Sequence, residues 1–190
     1  LLKEAREQFA VLHPDLILIT GDLTNDGLDE QFQRVKRFIA SLDFCTVLTI
    51  PGNRDITKTL VPRAVERSDL EYFLLTHPES NALDEMDTQE NVNYGRQGKY
   101  FEYFPSTEFF YRANGVAAVG LNSTPEIVPR QIEQTIQHFS KGQPGELRIF
   151  CAHHSFLPVP TKRLRVGDTL ARSADILQTL IELNVDILCC

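Results

Sequence analysis

Three side chains able to hold a metal ion or a phosphate, Asp22, Asn53 and His153, each stand within three residues of the end of a short apolar run. Those runs are Leu16 to Ile19, Val47 to Ile50 and Ile149 to Ala152. Brought together, a carboxylate, a carboxamide oxygen and an imidazole form a mixed oxygen and nitrogen donor set, which suits Mn, Fe, Zn, Ni or Co better than an all-oxygen calcium cage does. Arg54 and Asp55 follow Asn53 directly. A guanidinium stays protonated and offers charge and forked hydrogen bonds. His154 is the alternative to His153, because sequence does not decide which of two adjacent histidines faces inward. Asn25 is a further donor close to Asp22.

Plainer readings compete at each position. The stretch from Asp22 to Gly27 also reads as a turn followed by a helix N-cap. It half matches a calcium loop, with Asp22, Thr24, Asp26 and Gly27 in register, but Gln33 stands where a bidentate Glu belongs. Asn53 is a natural turn residue, and paired histidines after a buried strand also occur as satisfied core groups. His13, His77 and His138 read as solvated, and the cluster of Lys162, Arg163 and Arg165 reads as either a wet surface or a phosphate-greeting patch.

The elements that must position these groups follow from periodicity. Leu2, Ala5, Phe9 and Leu12 repeat at helical spacing before His13-Pro14. Phe32, Val35, Phe38, Ile39 and Leu42 mark one face of an amphipathic helix between the first two apolar runs, which makes a βαβ unit. A weaker helical pattern spans Thr57 to Leu75, and the acidic stretch from Glu79 to Glu90 reads as a surface loop. Tyr100 to Phe104 and Phe109 to Arg112 are aromatic-rich and predict strands. Asn114-Gly115 predicts a tight hairpin into Val116 to Leu121, so the middle of the chain is expected to be antiparallel. Pro129 opens a helix carrying Ile132, Ile136 and Phe139, and the last pair of elements is a helix from Leu170 to Leu183 and a strand from Val185 to Cys190. Strand ends in such α/β sheets converge on one crevice, which would gather the three donors.

Composition narrows the partners. The 190 residues, 42% hydrophobic and 24% charged, suit one globular domain over 1–190, and no apolar run is long enough to cross a bilayer. A net charge of -7, from 26 acidic and 19 basic residues, repels a polyanion, so duplex nucleic acid is not the expected partner. Cys45, Cys151, Cys189 and Cys190 lie in or beside apolar runs without metal-type spacing. They read as buried thiols of a reducing compartment, which places the protein in the cytoplasm.

In order along the chain, Gly21-Asp22-Leu23-Thr24-Asn25-Asp26-Gly27, Gly52-Asn53-Arg54-Asp55 and Ala152-His153-His154-Ser155 resemble successive blocks of the calcineurin-like metallophosphoesterases. The resemblance implies an α/β sandwich with two central mixed β-sheets flanked by helices. It also implies two divalent ions, bridged by Asp22 and bound by Asn53 and His153, that activate a hydroxide to cleave a small phosphodiester or phosphomonoester, with Arg54 expected to clamp phosphate and Asp55 expected to hold Arg54 in place. The family's first D-x-H block and last GHxH block do not occur in these residues, and Arg54 stands where His is usual. From those departures the chain is expected to be a domain trimmed at both ends, inactive by itself and a poor holder of metal. They also motivate a rival reading, a catalytically silent scaffold of the same fold that binds another protein.

Overall fold

The computed structural model describes residues 2–56, 99–124, 126–157, 170 and 172–190. The expected helix from Thr57 to Leu75, the loop from Glu79 to Glu90, His77 and the Lys162 to Arg165 cluster lie outside the described residues.

Helix α1 (Leu2–Leu12) leads into strand β1 (Leu16–Ile19), helix α2 (Asp29–Ala40), strand β2 (Thr46–Thr49) and a single helical turn α3 (Asn53–Ile56). Strands β3 (Phe109–Ala113) and β4 (Val116–Gly120) follow, then helix α4 (Pro129–Ser140), strand β5 (Leu147–Cys151), helix α5 (Ser173–Glu182) and strand β6 (Ile187–Cys189). Strands β1 and β2 pair in parallel, with Leu16 opposite Thr46 and Ile19 opposite Thr49. The second sheet runs β3-β4-β5-β6. Its β3–β4 pair is antiparallel, and β4–β5 and β5–β6 are parallel. The larger sheet is therefore the mixed one, and the expected antiparallel middle is limited to a single hairpin. Asn114 and Gly115, at φ 51° and 74°, supply the two left-handed residues that this two-residue turn demands.

Alternation along the strands builds two cores. Ala118, Ile149 and Cys151 face Leu18 and Ile50, gluing the two sheets face to face. Ala117, Val119 and Phe150 point the other way and pack under Phe139 of α4 and Ile176 and Leu180 of α5. A third cluster joins Phe32, Val35 and Ile39 of α2 to Tyr100, Tyr103 and Phe104.

That third cluster corrects one expectation. Residues 99–103 are helical, not extended. Tyr100, Tyr103 and Phe104 recur at helical spacing and so share one face, which stacks on Phe32, while Phe101 stays 48% exposed. Aromatic content argued for a strand, but spacing decided the outcome because it put three rings on the one side that packs against Phe32. His138 is also not solvated: its Nε2–H donates to the Tyr111 carbonyl at 3.0 Å, and its ring packs against Phe110 and Phe139. Burial holds its pKa below the ordinary imidazole value. All four cysteines are free thiols; Cys151 is buried, Cys45 and Cys189 are half-buried, and Cys190 is exposed, unlike the buried group expected.

Candidate functional site

Strands β1, β2 and β5 end on the same edge of the sandwich, and their loops meet there. His153 Nε2 lies 3.1 Å from Asn53 Oδ1 and 3.4 Å from Asp22 Oδ1. His153 thus touches both of the other residues singled out from sequence, although 100 and 131 positions separate it from Asn53 and Asp22.

Glycine makes this approach possible. A Cβ on Gly52 would collide with Asp22 and with His153 Cε1, and one on Gly21 would lie 2.5 Å from His153 Nδ1. Gly21 also has φ 109°, a region that side chains rarely adopt, and Asp22 itself is left-handed at φ 50°. The chain reverses there in two residues and turns the Asp22 carboxylate toward the neighbouring loop.

Asp55 locks the two loops to each other. Its carboxylate, 2% exposed, accepts hydrogen bonds from the backbone N–H groups of Leu23 (3.0 Å), Thr24 (2.7 Å) and Gly52 (2.8 Å) and from the Thr24 hydroxyl (2.8 Å). Burial pushes its pKa above the usual carboxylate range, and those same hydrogen bonds oppose the shift. Asp55 therefore holds backbone, where the sequence suggested that it would hold Arg54. Arg54 is positioned from the other side: its Nε lies 3.3 Å from Asp22 Oδ2, its Nη1 donates to Asn25 Oδ1, and its backbone N–H donates to Asp22 Oδ1 at 3.2 Å. The guanidinium remains about half exposed at the rim, with N–H groups left for an incoming anion. Thr24 and Asp26, candidate calcium-loop ligands, are instead turned to Asp55 and to Gln31.

The larger sheet supplies the histidines and a residue that sequence reasoning missed. Ser123, fully buried just past β4, accepts the backbone N–H groups of His153 (3.2 Å) and His154 (3.1 Å), and its Oγ is 2.8 Å from His154 Nδ1. The available signal was Asn122-Ser123-Thr124, a small polar run after a fourth apolar strand ending on the same edge. The carbonyl of Thr20 carried no such signal. It lies 3.0 Å from His153 Nδ1, and a carbonyl can only accept, so Nδ1 carries the proton.

In its neutral form His153 then presents the bare lone pair of Nε2 to two oxygen acceptors, Asp22 Oδ1 and Asn53 Oδ1. Three converging lone pairs repel one another unless a cation or a proton sits among them. The backing of a ligand imidazole by a carbonyl is the usual support of a metal-bound histidine. The donor set therefore fits a divalent transition metal. Among the described residues no three His, Cys, Asp or Glu side chains are grouped to hold an ion, so the cluster reaches three donors only through the Asn53 amide.

A family model described as calcineurin-like phosphoesterase matches residues 1–190 of the chain. No curated protein matches it.

Proposed function

Because this chain belongs to the calcineurin-like phosphoesterase family, we propose that its site hydrolyses a small phosphodiester or phosphomonoester with the help of two divalent transition-metal ions. The observation that supports this reading is the approach of Asp22 Oδ1 and Asn53 Oδ1 to the unprotonated face of His153, at 3.4 and 3.1 Å. Asp22, Asn53 and His153 are the residues that would hold metal. Bound there, divalent ions supply a water of lowered pKa and neutralise phosphate oxygens.

The remaining work falls to the chain's own groups. Thr20 keeps the His153 proton on Nδ1. Asn25 and Asp22 aim the Arg54 fork at the rim, where it meets a phosphate oxygen with paired N–H groups. A guanidinium offers charge and hydrogen bonds rather than a proton, so this site favours good leaving groups or draws the proton from another donor. Asp55 is a positioning residue that keeps the loops of Asp22 and Asn53 at a constant separation. We read 1–190 as one domain, and the free cysteines support a reducing, cytoplasmic setting. Among the described residues no helix is long and apolar enough to cross a membrane.

The test is hydrolysis of a chromogenic phosphodiester and a phosphomonoester by the full-length protein with added manganese, beside its Asp22→Asn variant. Manganese-dependent turnover that falls at least about 100-fold in the variant is expected, a loss larger than that for groups behind a ligand. No turnover above the variant on either ester would instead favour the silent scaffold.

A further inference from the structure

Adjacent in sequence, His153 and His154 have rings 5.2 Å apart and nearly perpendicular, yet their surroundings impose opposite proton placements. His153 is settled by Thr20, as above. For His154 the deciding atom is Ser123 Oγ. A hydroxyl has two lone pairs and one hydrogen. Both lone pairs are taken by the backbone N–H groups of His153 and His154. The single hydrogen is then left for the third partner, His154 Nδ1 at 2.8 Å. Donation into Nδ1 requires that Nδ1 be unprotonated, which puts the ring's proton on Nε2.

We infer that Ser123 is a positioning residue that fixes His154 as the Nε2–H tautomer, and so keeps it from coordinating through Nε2 while His153 coordinates. The inference rests on the metal-site reading of the edge for its purpose, but not for its geometry. It assigns different roles to two residues that sequence treats as interchangeable: His153 carries a lone pair to the cation site, and His154 carries an N–H. Ser123 is well placed for this because it is fully buried just past β4, the strand paired with β5, so the register of two strands aims it at the turn between Ala152 and Ser155. Water does not compete for a hydroxyl buried there, and all its hydrogen-bonding capacity is committed to the histidine turn.

The experiment is imidazole nitrogen NMR on the labelled full-length protein near neutral pH, before and after zinc. Without metal, His154 should show a protonated Nε2 and a bare Nδ1, and His153 the reverse. Ser123→Ala should erase the His154 signature and leave that of His153 in place. Ser123→Thr, which retains the hydroxyl, should restore it. Zinc should move the His153 Nε2 resonance and leave the His154 Nε2–H intact, and its affinity should fall about 10- to 100-fold in Ser123→Ala. A wild-type His154 protonated on Nδ1, or zinc bound through His154 Nε2, overturns the inference even if Ser123→Ala does not fold. Absence of any zinc response at either ring would instead defeat the metal-site reading, with the zinc-free spectra still deciding the role of Ser123.

Discussion

The two ends of the sandwich hold similar residues and do different things with them. At one end Asp22 and Asn53 both reach His153. At the other, His13, Asp15, Asp43, Cys45 and Asn114 surround an open cavity of about 460 Å³. That inventory is as rich in metal-binding types, yet His13, Asp15 and Asp43 are exposed. The difference lies behind the side chains. The first end has two glycines that let backbones approach to contact, a buried carboxylate that ties two loops together, and a buried hydroxyl that anchors the histidine turn. Residue types make a site possible, and the backbone supports around them make it specific.

The comparison breaks most severely at Asp55. Asp55→Ala leaves four donors without their acceptor, and a loss of about 3 kcal/mol or more is expected in denaturant titration. Asp55→Asn should do nearly as badly, since its NH2 group would face donors. The sign of the pH effect follows from burial raising the folded-state pKa above 3.8. Folding then favours the protonated acid, so this contribution to stability is complete below 3.8 and is lost as pH rises through the higher folded value. Denaturation across the acid range should show that downward component in the wild type and not in Asp55→Ala.

Gly52→Ala ranks next. Its methyl would strike Asp22 and the His153 ring, so loss of metal affinity should accompany a destabilisation of about 1 to 3 kcal/mol. An unchanged affinity would mean that the close approach of the loops is incidental. Arg54→His is smaller and more selective. Replacing a group that only donates charge with one that releases a proton near neutral pH should raise the rate on poor leaving groups relative to good ones. Equal effects on both would contradict the role given to Arg54. The smallest expected effect is at the opposite end: Asp43→Asn and Cys45→Ala should leave zinc affinity, measured by calorimetry, unchanged. A loss there would erase the contrast between the two ends.

Much of this was legible in the residues because the relevant signals are local. Four-residue apolar runs followed by glycine and a polar group mark β1 and β2 with their loops, and Asn114-Gly115 marks its turn. The aromatic run at 100–104 misled because its composition and its spacing disagree, and the partner that settles the matter, Phe32, lies far away in sequence. Ser123, Thr20 and the clasp made by Asp55 were out of reach for a related reason. Each acts through at least one contact across 31 or more residues, set by strand register or by loop approach, which no local pattern encodes. Asp55 illustrates this well, since its position beside Arg54 suggested a partner one residue away while its hydrogen bonds run to backbone at 23, 24 and 52.

The most direct measurement is an anomalous-difference map from manganese-soaked crystals of the full-length protein. A peak within coordination distance of Asp22, Asn53 and His153 together is the predicted result. Manganese bound only elsewhere, or at this edge without contact to those three, would contradict the account.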